Sequence, residues 1–145
     1  LPPGRDLWLL STGTAIGPFL AMLAEGEVFE RFENLVLVQG VRKGEELTYQ
    51  GLITSLVEQY GPRFHYVPFV SREPWPGALP GRIPAAIASG ELQARVGLAF
   101  SAEHSQVMIC GNPAMVKETQ LTLLELGLAK NLRRAPGNIS VENYW

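Results

Sequence analysis

Cysteine is nearly missing from this chain: there is one among 145 residues, with two histidines. One thiol excludes a disulfide framework, and one Cys with two His excludes a four-ligand zinc site of the usual kind, so no metal is expected. Charge is scarce too. Asp, Glu, Lys and Arg make up 18%, against roughly 25% in typical soluble domains. The net charge is -2, which excludes a strongly basic surface for nucleic acid as the dominant feature. No apolar run approaches the ~20 residues that a membrane span needs. There is no signal-peptide pattern and no initiating Met, so the expectation is a cytoplasmic chain with neither a membrane nor a nucleic acid as partner. What is present is 46% hydrophobic content, in a chain the size of one ordinary domain with a real core. The opening Leu1-Pro2-Pro3-Gly4 reads as linker. Residues 1–5 are therefore expected to be an inter-domain remnant, and residues 6–145 the domain itself.

Glycines and prolines divide the apolar runs cleanly. Asp6–Leu10 reads as a buried strand and Phe19–Ala24 as a helix packed on a sheet. Asn34–Gly40 is apolar on both faces, which implies a sheet covered on both sides and hence a parallel one. Thr48–Tyr60 carries Leu52, Ile53, Leu56, Val57 and Tyr60 at helical spacing and stops at Gly61-Pro62. Arg63–Val70 is a third strand, and Pro68, which cannot donate to a ladder, puts it at an edge. Gln106–Cys110 is a fourth strand. Ala114–Leu126 is a helix with Met115, Val116, Leu121, Leu124 and Leu126 apolar. Asn138–Tyr144 is a fifth strand. This alternation predicts an α/β fold: a three-layer, open, parallel five-stranded sheet with helices on both faces. Ligands of such sheets sit beyond the carboxyl ends of the strands, where the strand order reverses. The residues that follow each strand are the ones to read for function.

The first such turn is Ser11-Thr12-Gly13-Thr14-Ala15-Ile16-Gly17-Pro18-Phe19. Gly13 and Gly17 let the backbone turn sharply and approach a ligand. Pro18 suits the first helical position, where its missing N–H costs nothing. The helix N-terminus then offers free N–H groups and a partial positive charge to a phosphate, with Thr12 and Thr14 adding hydroxyls. The G-x-x-x-G spacing is neither the usual dinucleotide fingerprint nor a P-loop.

With its following residues, this turn resembles the glycine-rich turn of the ferredoxin–NADP reductase superfamily, in the variant of the bacterial ferredoxin (flavodoxin)–NADP reductases. Val70-Ser71-Arg72-Glu73 resembles that family's NADP 2′-phosphate segment. Cys110-Gly111-Asn112-Pro113-Ala114-Met115-Val116 resembles its Cys-Gly-x-Pro motif near the nicotinamide. Val141-Glu142-Asn143-Tyr144-Trp145 is similar to its aromatic C-terminus. The four matches lie in the family's order and run nearly the length of the chain. The resemblance implies a ferredoxin reductase-like NADP-binding domain with strand order 3-2-1-4-5.

It also implies the cofactors, NADP(H) and FAD. An NAD-binding dinucleotide fold places an acidic residue after the second strand, to hold the ribose 2′-OH. Here that strand runs into Arg42 and Lys43; Arg72 follows the third strand, and Arg82 the Pro/Gly-rich loop. Guanidinium groups bind phosphate by bidentate contacts. By resemblance Arg42, Arg72 and Arg82 map onto the 2′-phosphate arginines, and Ser71 onto a hydroxyl donor. The family's turn adds Thr12, Gly13, Thr14, Ala15, Gly17 and Pro18 to the cofactor-binding set, and its second motif adds Gly111, Asn112 and Pro113.

At the nicotinamide end the resemblance puts Cys110 where nicotinamide meets flavin, as a residue that positions the ring without a covalent step. Gly111 would leave room for the planar ring. Val141-Glu142-Asn143-Tyr144 matches the plant-type pattern whose tyrosine lies against the flavin ring. Trp145 is similar to the bacterial branch, where a terminal tryptophan lies on the adenine part of FAD. Which aromatic takes which ring stays open, as does Glu142, read either as a proton or charge handler near the flavin or as a solvated strand residue. Lys130, Arg133 and Arg134 form a basic cluster that could meet an acidic electron carrier, although such a cluster is more often a solvated face. His65 and His104 have no metal-spaced partners and read as structural.

The implied whole is a reductase in which hydride passes between nicotinamide and FAD, with ferredoxin or flavodoxin and the chain's own N-terminal FAD domain as partners. No FAD-binding β-barrel and no flavin motif occur in these residues, so the chain alone is expected to be inactive. Two other readings remain. One is another superfamily member, a flavin reductase or an oxygenase reductase. The other is a stand-alone NADP-binding module without turnover.

Overall fold

The structure is a computed structural model and describes residues 4–143. Its strands are β1 (Asp6–Thr12), β2 (Asn34–Val41), β3 (Phe64–Val70), β4 (Leu79–Pro80), β5 (Ser105–Gly111) and β6 (Ile139–Asn143). Its helices are α1 (Ile16–Glu25), α2 (Val28–Arg31), α3 (Gln50–Tyr60), α4 (Ile83–Ser89), α5 (Glu91–Val96) and α6 (Pro113–Glu125). All pairings are parallel, and the strand order is β4-β3-β2-β1-β5-β6. The order predicted for five strands is therefore present, but the sheet has six. The extra strand lies in the Pro/Gly-rich loop and is too short to show an apolar period. It pairs only Leu79 with Phe69 and Pro80 with Val70. Outside those two pairs β3 forms the margin of the sheet, and Pro68 sits in that open stretch.

Strand alternation divides the core into two halves. Trp8, Leu10, Val36, Val38, Val67, Phe69, Val107 and Ile109 face α4, α5 and α6, with Ile83, Ile87, Leu92, Met115 and Leu123 packed against them. Leu7, Leu9, Leu35, Leu37 and Phe64 face α1, α2 and α3, with Ile16, Phe19, Leu23, Phe29, Ile53 and Leu56. Burying each such side chain stabilises by about 1.5–3 kcal/mol, so the central strands hold the three layers together.

Two helices differ from their sequence patterns. α3 begins at Gln50 rather than Thr48, because Tyr49 has left-handed backbone geometry with φ 62°. Only Ile53 and Leu56 of its apolar residues are buried; Leu52 and Val57 are exposed. Tyr60 stacks on Phe29 at 3.5 Å between ring centroids. In α6 the buried face is Met115, Val116, Thr119 and Leu123, whereas Leu121 and Leu126 are exposed. Both helices thus bury a narrower stripe than their composition implies. Among the described residues no helix is long and apolar enough to cross a membrane, and no cluster of His, Cys, Asp and Glu could hold a metal ion.

Candidate functional site

The chain runs outward from β1 through β2 and β3 to β4, then returns to place β5 on the other side of β1. The strand order therefore reverses between β1 and β5, and a crevice opens at their carboxyl ends. A pocket of about 430 Å³ lies there. The end of β1 supplies Thr12 and Gly13, and the end of β2 supplies Gly40, Val41 and Arg42. Ser71 comes from the residues after β3, Arg82 and Ile83 from the start of α4, and Asn112 and Met115 from the start of α6.

One wall suits an anion. Gly13 turns the chain out of β1 with φ 57°, a conformation that favours glycine. A 3-10 turn, Gly13–Ala15, leads into α1 at Ile16, and neither start carries a side-chain cap. The Ile16 N–H is bonded to the Thr14 carbonyl within the turn, and the remaining N–H donors of a helix start suit an anion. Pro18 is the third helical residue and not the first; its missing N–H still falls among the unbonded donors of that turn. Gly17 lacks the positive φ expected of a turn glycine. It lies inside α1, and a Cβ there would meet nothing within 4 Å. Thr14 is exposed, and Ala15 is buried with the apolar residues under α1.

Gly111 also has a reason within the fold itself. Its φ is 146°, and a Cβ would run into the hydroxyl of Thr12, lie 3.1 Å from the Thr12 nitrogen and 3.3 Å from Met115 Cε. The missing side chain makes space for Thr12, whose Oγ1 accepts from the Asn112 N–H at 3.2 Å. Asn112 Oδ1 in turn accepts from the N–H of Ala114 at 2.9 Å and of Met115 at 3.4 Å, capping α6. Pro113 follows as its first residue. Thr12, Gly111 and Asn112 thus tie the ends of β1 and β5 together at the floor of the crevice.

The opposite wall carries the arginines. Arg42 and Arg82 both line the pocket, with Ser71 beside them. Arg82 reaches Glu118 at 3.3 Å across an exposed ion pair. Such pairs are worth about 0–1 kcal/mol, so the pair holds Arg82 only weakly. Arg72 is exposed and next to the pocket residue Ser71, but it does not line the pocket. Its N–H donates to the Arg42 carbonyl at 2.9 Å, so the two residues are backbone neighbours. Pattern reasoning missed the apolar wall of Val41, Phe69, Ile83 and Met115, and also Glu46, which lines the pocket. Only the helical spacing of Met115 in its motif pointed toward any of them.

Cys110 is buried on the α1 side of the sheet and does not line this pocket. In register it stands between Ser11 of β1 and Glu142 of β6. Tyr144 and Trp145 lie outside the described residues. A partly buried polar layer occupies the same face at the carboxyl end: Ser11 Oγ donates to the Val38 carbonyl at 2.7 Å, and the half-buried Tyr66 Oη donates to Gln39 Oε1 at 2.8 Å. Burial pushes the Tyr66 phenol above its ordinary value, with a hydrogen bond from Gln50 opposing. Lys130, Arg133 and Arg134 are all exposed.

Comparison with known proteins gives one family model, described as the oxidoreductase NAD-binding domain, matching residues 9–121. The flavodoxin/ferredoxin–NADP reductase of Escherichia coli (strain K12) is 47% identical over 146 residues, covering 100% of this chain and 59% of that protein. The ferredoxin–NADP reductase of Pseudomonas aeruginosa is 37% identical over 151 residues, covering 98% of this chain and 58% of its own length. Among solved structures, a ferredoxin NADP+ reductase from Neisseria gonorrhoeae with bound FAD and NADP superposes with a TM-score of 0.92 at 37% identity. That match covers 99% of this chain and 58% of the other. The chain thus spans less than two thirds of the length of the relatives it matches.

Proposed function

Because the chain belongs to the oxidoreductase NAD-binding domain family, we propose that residues 6–145 are the NADP(H)-binding domain of a ferredoxin or flavodoxin–NADP reductase. In this reading the domain works with an N-terminal FAD domain of its own protein and exchanges electrons with ferredoxin or flavodoxin. A cytoplasmic location belongs to the same proposal. The observation that carries it is the pocket at the reversal of strand order. There Thr12 and Gly13, at the turn that leads into α1, line one side, and Arg42, Ser71 and Arg82 line another.

The two walls fit the two phosphate groups of NADP. The N–H groups at the start of α1, with Thr12, Gly13, Thr14, Ala15, Gly17 and Pro18 around them, take the pyrophosphate. Arg42, Arg72 and Arg82, with the Ser71 hydroxyl, take the 2′-phosphate; Arg72 is within side-chain reach as the neighbour of Ser71. The Val41, Phe69, Ile83 and Met115 wall excludes water from the space between. Cys110, Gly111, Asn112 and Pro113 fix where the nicotinamide end of the crevice lies, through the ties between β1, β5 and α6. Glu142, Tyr144 and Trp145 complete that end against the flavin. NADP(H) and FAD, when bound, supply hydride chemistry; the residues here supply position, which such a transfer needs to within about 3–3.5 Å.

Calorimetry with NADP, NAD and adenosine 2′,5′-bisphosphate tests the reading. Arg72→Ala is expected to weaken NADPH roughly ten- to a hundredfold, from one lost charged hydrogen bond of about 1.5–3 kcal/mol. NADH binding should barely change. Equal weakening of both removes the 2′-phosphate assignment, and no binding of any of the three removes the cofactor.

A further inference from the structure

The arginines of the pocket sit on two separate arms of chain. One is the turn after β2, which brings Arg42 and Glu46 to the pocket; the other runs from the end of β3 to α4 and brings Ser71, Gly81 and Arg82. Neither arm is an extended regular element, and most of their residues are exposed. Backbone bonds join them only at their bases, where Ser71 N–H donates to Val41 at 3.1 Å and Arg72 N–H to Arg42 at 2.9 Å.

Further out they meet at one point. Gly44 is buried, although Lys43 and Glu45 on either side are exposed. The cover is Trp75 of the other arm: a Cβ on Gly44 would fall inside the indole ring, against Cδ2, Cε3 and Cε2. The Gly44 N–H donates to Glu73 Oε2 at 2.9 Å, and the Ala78 N–H closes the Trp75 turn on its carbonyl at 3.1 Å. Nothing in the pocket chemistry uses Gly44, Glu73 or Trp75, and none of the three lines the pocket.

We propose that Trp75, Gly44 and Glu73 form a clasp that holds the two arginine-bearing arms together. They are then positioning residues for recognition of a ribose 2′-phosphate. The inference rests on the cofactor reading above and deepens it. A dianion held between arms pays less ordering entropy when the arms are already fixed. The clasp residues follow β2 and β3, whereas α1 follows β1, so in this proposal the clasp acts on the 2′-phosphate and leaves the pyrophosphate side alone.

The test compares the unaltered chain with Trp75→Ala, Trp75→Phe and Glu73→Ala. Amide hydrogen exchange reads the clasp, and calorimetry reads affinity for adenosine 2′,5′-bisphosphate and for 5′-AMP, which lacks the 2′-phosphate. Trp75→Ala is expected to speed exchange at Gly44 by about tenfold or more and to weaken the bisphosphate by about five- to twentyfold, with 5′-AMP within about twofold. Glu73→Ala should move the same way by less, and Trp75→Phe should restore most of the affinity. Equal loss for both ligands, or no loss of either, overturns the clasp while the cofactor reading stands. Absence of bisphosphate binding by the unaltered chain overturns the cofactor reading and the clasp's role with it.

Discussion

Gly111→Ala is the substitution that best tests how the floor of the crevice is built. Two costs arise together. At φ 146° an L side chain is strained wherever it stands, which costs about 1–3 kcal/mol. The new methyl also meets the Thr12 hydroxyl. Thr12 must then turn away and give up the bond it accepts from the Asn112 N–H, worth about 0.5–1.5 kcal/mol. The expected loss is about 2–4 kcal/mol. Unfolding entropy near 2.1 cal/mol/K per residue makes that a fall of roughly 7–13 °C in the thermal midpoint of a chain this long. Urea denaturation should show the same loss with an unchanged slope. The decisive control is Thr12→Ala in both backgrounds. In the native background it removes a hydrogen bond and destabilises slightly. In the Gly111→Ala background it removes the obstruction and should recover about 1 kcal/mol, leaving the backbone strain and the close Thr12 nitrogen. Additive effects of the two substitutions would refute the account of Gly111 as space for Thr12. So would a Gly111→Ala loss below about 1 kcal/mol, because strain alone exceeds it.

Leu37 lies fully buried at the centre of the sheet, on the face under α1 and α3. Leu37→Ala should cost about 2–5 kcal/mol, read as a lower urea midpoint at constant slope. Burial lowers the His65 pKa from 6.5, while the Asp6 carboxylate pulls it back up. The folded state therefore favours neutral imidazole. Its contribution is present above 6.5 and is lost as pH falls through the lowered value. The stability of the native chain should fall more than that of His65→Gln between about pH 7 and pH 5; parallel curves would show that His65 does not titrate against the fold.

The parts of the fold that were legible are those where a long apolar period meets a breaker. β2 reads as a double-sided run because both of its faces touch helices; its neighbour β1 is ended by Gly13, and β3 is preceded by Gly61-Pro62. β4 was not legible because two residues in a proline-rich loop gain their pairing from β3 and not from any pattern of their own. The face of α3 was misjudged for a related reason. Leu52 and Val57 are as apolar as Ile53 and Leu56, and only the position of the sheet decides which pair is buried. The site divides the same way. Thr12, Gly13, Arg42, Ser71, Arg82 and Asn112 line the pocket, and the sequence points to them because each stands at or just past the end of a strand or loop that it punctuates. Gly44 and Trp75 were not found, since their partnership joins two arms far apart in the chain. For Gly111 the structure adds a reason that the motif does not show. A motif marks that a glycine is needed; the atom it yields to is a threonine hydroxyl of the first turn. The two family motifs are thus one physical unit. The glycine of one makes room for the threonine of the other, so a change in either should be felt at the start of both α1 and α6.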